Sequence, residues 1–198
     1  MKILLAEDQA MIRGAIAALL SMEGHFDVTQ ACDGEQALSL LKTQHFDLLL
    51  TDIEMPHRTG LELVQYLQQQ AASTKAIIIT TFCRSGYIKR AIEAGTSGFL
   101  LKDAPSDQLV NAITQVMNGG KVIDPELAMM ALGENDPLND KERRALRLAS
   151  EGQPTAEIAN QLFIAEGTVR NYLSEAISKL NASNRIDAAR IARQKGWL

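Results

Sequence analysis

The residues most able to do chemistry stand at the ends of apolar runs. Asp52 closes LLLT (48–51) and is followed by Glu54 and Pro56, which cannot continue a strand ladder. Glu7 and Asp8 follow the run KILLA, Thr80 closes AIIIT, and Lys102 closes SGFLL. Three carboxylates brought together make a hard, oxygen-lined site suited to magnesium, which keeps several waters and needs few protein ligands. An aspartate in such a site can accept a phosphoryl group, and a hydroxyl and an ammonium beside it would hold the phosphoryl oxygens. Each residue also has a plainer reading: Asp52 caps the next loop, Thr80 is a buried hydroxyl bonded to backbone, and Lys102 is a surface charge. Their recurrence at successive strand ends favours the chemical reading.

The elements that must position them alternate. Strands are expected over 2–7, 26–32, 47–51, 76–80 and 97–102, and helices over 11–24, 35–44, 60–70, 87–95 and 106–120, the last opened by a Ser106 cap. Alternation of this kind implies a five-stranded, doubly wound parallel sheet of flavodoxin-like type, with helices on both faces. Ligands then bind outside the carboxyl ends of the strands, where Glu7, Asp8, Asp52, Thr80 and Lys102 would converge.

Residues 1–120 resemble the receiver domain of two-component response regulators, which take a phosphoryl group from a histidine kinase onto an aspartate. The resemblance is carried by the acidic pair Glu7 and Asp8, the DxxMP of Asp52 to Pro56, Thr80, and the GxxGFLLKD of Gly95 to Asp103. It implies that Asp52 is the phosphoacceptor. Magnesium would then be held by Glu7, Asp8, Asp52 and the main-chain carbonyl of Glu54, with Thr80 and Lys102 on the phosphoryl oxygens. Phe99 falls at the family's aromatic switch position: if Thr80 moves inward on phosphorylation, Phe99 can fill the vacated space and repack the surface around it. A core aromatic with a single rotamer is the alternative for Phe99. Glu54 and Phe82 flank the site and are expected to tune the lifetime of the acyl phosphate.

Composition bounds the rest. The chain has 198 residues, 46% hydrophobic and 22% charged, enough for two small domains. No apolar run approaches the roughly 18 residues of a membrane span, so no membrane insertion and a cytoplasmic location are expected. Cys32 and Cys83 are far apart, with no CxxC, and are expected as small core residues. Lys plus Arg against Asp plus Glu is 9 to 13 over residues 1–120, 1 to 4 over 121–137, and 10 to 7 over 138–198. The basic carboxyl third permits a nucleic-acid partner without requiring one. Asp-Pro pairs at 124–125 and 136–137 mark 121–137 as a linker, with a short helix possible over 126–133.

From residue 138 onward helices are expected over 140–152, 155–163, 166–180 and 185–196, the middle two separated by the short connection of a helix-turn-helix. At helical spacing, Val169, Tyr172, Leu173, Ala176, Ile177 and Leu180 share a core face, while Gly167, Arg170, Asn171, Ser174 and Ser178 share the opposite one. The second face suits a helix laid in the DNA major groove, and equally a solvated three-helix bundle. This segment resembles the LuxR-type DNA-binding domain of NarL/FixJ response regulators, through LNDKERRALRLASEG, EIANQLF, GTVRNYLSEAISKL and NRIDA. The resemblance implies that Arg170, Asn171 and Ser174 face the groove and that Lys179 lies near the phosphate backbone. Ala165, Arg170 and Tyr172 depart from the family's common Ser, Lys and His, so base preference is not inherited.

The expected function is therefore a transcription factor, not an enzyme. A sensor histidine kinase phosphorylates Asp52, a homodimer forms, and double-stranded DNA is bound. AEDQAM, TDIEMP, GYIKRAIEAG and GTVRNYLSEAISKL look similar to DesR-like regulators, which implies a membrane-embedded kinase and desaturase-type target genes. Two alternatives stand: a phosphatase of haloacid dehalogenase type, with Asp52 as nucleophile and Glu54 as acid, and a signalling adaptor without DNA contact.

Overall fold

A computed structural model describes residues 1–81, 85–131 and 136–198. The chain divides into two compact units, the main break falling between Leu132 and Gly133. In the first unit the strands are β1 (Lys2–Ala6), β2 (Asp27–Ala31), β3 (Leu48–Asp52), β4 (Lys75–Thr80), β5 (Gly98–Leu101) and β6 (Val122–Ile123). They form one sheet in the order β2-β1-β3-β4-β5-β6, and every neighbouring pair is parallel. The helices between them are α1 (Ala10–Met22), α2 (Gly34–Thr43), α3 (Gly60–Gln69), α4 (Ser85–Glu93) and α5 (Ser106–Met117), and α6 (Pro125–Ala131) follows β6.

Period-two alternation along the strands sorts the core into two layers. Ile3, Leu5, Leu48, Leu50, Ile77, Ile79 and Leu100 pack with Ala17 and Leu20 of α1 and with Ala112, Ile113 and Val116 of α5. Leu4, Leu49, Ile78 and Phe99 pack on the other face with Ala37 of α2, Leu63 and Val64 of α3, Ile88 and Ala91 of α4 and Leu127 of α6. All of β3 is buried, as an uninterrupted apolar run between two helical layers must be. Local chemistry starts the covering helices in register. Asp33 accepts from Gln36 N to cap α2, and a Thr59–Glu62 capping box starts α3.

Several expectations are corrected. The sheet has six strands: Val122–Ile123, assigned to the linker from sequence, pair in parallel with Gly98–Phe99, and Leu127 is buried in the same cluster as Phe99. A two-residue strand has no readable alternation, and it forms because β5 otherwise presents unpaired edge groups. Cys32 is exposed, not core, because it stands just past the end of β2; Cys83 and Phe82 lie outside the described residues. Ser106 does not cap α5; Pro105 holds the cap position without a side-chain bond.

The second unit is helical: α7 (Asp140–Ser150), α8 (Thr155–Leu162), α9 (Glu166–Lys179) and α10 (Arg185–Lys195). Ala145, Leu146, Ile158, Val169, Leu173, Ala176, Ala188, Ala192 and Trp197 form its core. An Asn139–Glu142 capping box starts α7 and Asn184 caps α10. Helix α8 ends one residue earlier than its apolar pattern, because Phe163 takes a left-handed conformation (φ 54°) and closes the helix. No helix among the described residues is long and apolar enough to cross a membrane.

Candidate functional site

At the carboxyl edge of the sheet the sequence-predicted residues do meet. Asp52 is the last residue of β3 and is 6% exposed; its Oδ1 accepts from Ile53 N at 2.7 Å. Lys102 Nζ lies 2.9 Å from Asp52 Oδ2 and 2.6 Å from Glu7 Oε2, and Glu7 is fully buried. Ligand atoms of Glu7, Asp8 and Asp52 all lie within 4.8 Å of one another. Thr80 is the last residue of β4 and is buried, and its carbonyl accepts from Lys102 N at 2.8 Å. Adjacent parallel strands thus bring Thr80 and Lys102 to the same edge of the sheet. Phe99 is fully buried on β5, opposite Ile78 of β4 and Ile123 of β6.

The electrostatics are those of a cation site. Burial pushes the Asp52 carboxyl from 3.8 up to about 6; the Lys102 ammonium pulls it down, and the Glu7 charge adds to the rise. Burial would lower Lys102, but its contacts with Glu7 and Asp52 outweigh that and hold it above the ordinary lysine range. The Lys102 contacts are close in distance but poor in hydrogen-bond angle, so Glu7 Oε2 and Lys102 Nζ keep unused bonding capacity. Asp8 Oδ1 is a buried carboxylate oxygen with no partner. Three clustered carboxylates, two of them with an orphaned oxygen, fit magnesium, a hard cation.

Sequence reasoning missed two supports of this site. Arg13 Nη1 donates to the main-chain carbonyls of Glu7, at 2.7 Å, and Asp8, at 3.3 Å, fixing the acidic pair from α1. Gly60, at the start of α3, donates its N–H to Ile53 O, and a Cβ there would fall 2.0 Å from the Asp52 carbonyl oxygen. The glycine in HRTG was visible, but the contact behind it is tertiary. Gly60→Ala is expected to destabilise the first unit by about 2–3 kcal/mol, since the obstruction is backbone and cannot rotate away. Urea unfolding followed by circular dichroism checks this; an unchanged midpoint would show that α3 can shift freely against β3.

In the second unit Arg170, Asn171 and Ser174 are exposed along α9, together with Gly167 and Ser178. Arg170 Nη2 reaches Glu166 Oε2 at 2.5 Å, one helical turn earlier. Lys179 is engaged within the unit: its Nζ bonds both carboxylate oxygens of Glu142, at 2.7 and 2.8 Å, and Glu142 is buried. This pair ties α9 to α7. Lys179→Ala is expected to cost about 2–4 kcal/mol by leaving Glu142 buried and unpaired. Trp197, the single tryptophan, is buried in the same core, so its fluorescence reports the loss. An unshifted Trp197 transition would show that Glu142 finds other partners.

Comparison with known proteins agrees with this architecture. Residues 3–114 match the response regulator receiver domain, and residues 136–192 match the luxR family of bacterial regulatory proteins. The chain belongs to the two-component response regulators that carry a LuxR-type DNA-binding domain, and regulates transcription. Among curated relatives it is 45% identical to transcriptional regulatory protein DesR of Bacillus subtilis, covering 98% of each chain. It is 44% identical to the uncharacterized transcriptional regulatory protein YvfU of the same organism, covering 100% of this chain and 99% of that one. In fold it is similar to RcsB of Salmonella enterica serovar Typhimurium solved on promoter rprA, with a TM-score of 0.71, 22% identity and coverage of 96% and 97%. Membership in the receiver family sets aside the haloacid dehalogenase alternative.

Proposed function

We propose that Asp52 accepts a phosphoryl group from a sensor histidine kinase, and that this switches the protein to a DNA-binding homodimer. The carrying observation is the Asp52 carboxylate at the sheet edge, 2.9 Å from the Lys102 ammonium and grouped with Glu7 and Asp8. An Asp52 oxygen bonds to phosphorus as the donor's bond to phosphorus breaks, and the donor leaves with the electron pair. Lys102 and Thr80 hold the phosphoryl oxygens. Glu7, Asp8, Asp52 and the Glu54 main-chain carbonyl would hold magnesium, which offsets negative charge between the phosphoryl group and the carboxylates. The added charge draws Thr80 inward, and Phe99 repacks toward it.

In the same reading the receiver runs from residue 1 through β6 and α6, and residues 138–198 are the DNA-binding domain, with Arg170, Asn171 and Ser174 facing the major groove. Dimerisation places two such helices on paired half-sites and raises affinity by avidity. The protein works in the cytoplasm with a membrane-embedded kinase. Likeness to DesR-like regulators supports membrane-lipid, desaturase-type genes as targets, which transcript profiles of a deletion strain would test. The function itself is tested by incubating the full chain with magnesium and acetyl phosphate, then reading intact mass and solution size together. One phosphoryl adduct with a shift from monomer to dimer is expected. No adduct on the wild type would sink the proposal.

A further inference from the structure

The helix-turn-helix carries little positive charge for an element that meets DNA. Along α8 and α9 the cations are Arg170 and Lys179, against Glu157, Glu166 and Glu175. Lys179 is engaged with the buried Glu142, so among the described residues of α9 Arg170 is the cation left for DNA. That cation already has a partner: its Nη2 donates to Glu166 Oε2 at 2.5 Å. Glu166 is the first residue of α9, and its side chain is 42% exposed. An acid in the first turn can bond the N–H groups that open the helix, and Ala165 at the N-cap offers them no side chain. Glu166 instead gives its carboxylate to Arg170, one turn on.

We propose that Glu166 is a second specificity-determining residue of α9, an acceptor for the N4–H of a cytosine beside the base that Arg170 reads. The proposal rests on the DNA-binding reading of α9. An unpaired arginine binds any phosphate, and phosphate contacts carry no sequence. Held by Glu166, Arg170 gains little from a phosphate, which only replaces one anionic oxygen by another. Guanine gives more, since its O6 and N7 take two parallel N–H bonds. When Arg170 moves to guanine, the Glu166 carboxylate is left among phosphates and needs a donor of its own. Cytosine presents its N4–H with no acceptor beside it, whereas adenine sets the N7 acceptor next to its N6–H. The exchange is complete only where a guanine and a cytosine stand together, and one turn of α9 carries both contacts.

The test selects duplexes from random sequence with four full-length proteins: wild type, Glu166→Ala, Arg170→Ala and the double variant. Sequencing gives the base preference at each position, and fluorescence anisotropy gives affinity for the wild-type site and for a random duplex. Glu166→Ala is expected to flatten a cytosine preference next to the guanine position that Arg170→Ala flattens. It should also weaken binding to the wild-type site by about three- to tenfold and tighten binding to the random duplex by about two- to fivefold. That tightening should largely vanish in the Arg170→Ala background, as residues acting through one contact are non-additive. Unchanged base preferences in Glu166→Ala overturn the proposal. So does equal tightening of every duplex with and without Arg170, which would mark Glu166 as a plain negative charge. A collapse of the Trp197 unfolding transition in Glu166→Ala overturns it too, since Glu166 would then support the fold of α9. If Arg170→Ala flattens no position either, the DNA-binding reading of α9 fails as well; if it flattens one and Glu166→Ala none, only the role of Glu166 falls.

Discussion

Asp52→Asn takes up no phosphoryl group from acetyl phosphate and stays monomeric under conditions that phosphorylate and dimerise the wild type. The amide has no oxygen nucleophile of carboxylate strength, and the neighbouring Glu7 carboxylate is fully buried and paired with Lys102. The same variant is more stable than the wild type in magnesium-free buffer at neutral pH. The folded carboxyl titrates near 6 against 3.8 for the unperturbed group, so the native state binds the proton more tightly than the unfolded state does. This contribution is fully present below the unfolded value and is lost as pH rises through about 6. Above that, the native state carries a desolvated charge that Lys102 only partly offsets. A rise from 3.8 to about 6 corresponds to about 3 kcal/mol, and the lost Lys102 contact reduces the expected gain of Asp52→Asn to about 1–3 kcal/mol. Urea midpoints of both proteins at pH 5 and pH 7.5 measure it: the gap should open with pH and narrow when magnesium is added. An adduct on Asp52→Asn would overturn the phosphoacceptor assignment, and a pH-independent gap would overturn the electrostatic account.

Arg170→Ala is expected to lower affinity for a promoter fragment by about 10- to 100-fold, the range of a lost bidentate contact to a base edge. Arg170 is two-thirds exposed on α9, and its partner Glu166 lies one turn earlier on the same helix. An exposed pair at this spacing contributes only about 0.3–0.5 kcal/mol, so the guanidinium is free to leave it for DNA. Stability should therefore hardly change. Fluorescence anisotropy on a fragment selected from random sequence gives the affinity, and Arg170→Lys separates two roles. Lysine restores binding if the residue meets phosphate and fails if it reads a guanine through two parallel bonds. Affinity unchanged in Arg170→Ala on every fragment would move base reading elsewhere and revive the adaptor reading.

The site was legible because strand ends are legible. Apolar runs ending in Asp52, Thr80 and Lys102 state both the element and the place where it stops, and parallel alternation forces those stops to one edge. Helix α9 was legible for a related reason: its 3.6-residue period separates Val169, Leu173 and Ala176 from Arg170, Asn171 and Ser174. What escaped were features without a period. Strand β6 is two residues long and exists only because β5 offers an edge. Cys32 passed for core by its type and proved exposed by its position. Arg13 and Gly60 act through contacts whose sequence separations, 6 for Arg13 to Glu7, carry no local signature.

The sequence by itself determined the alternation of the first five strands and helices, the two-unit division and the set of chemical groups at the sheet edge, since hydrophobic period and chain direction are properties of the chain alone. Only the tertiary structure decided the charge state and reach of those groups. Burial lifts the Asp52 carboxyl to about 6, Lys102 spans Glu7 and Asp52, and Lys179 is spent on Glu142. Desolvation and hydrogen-bond geometry depend on which distant segments fold over a residue, and the linear order of residues does not state them.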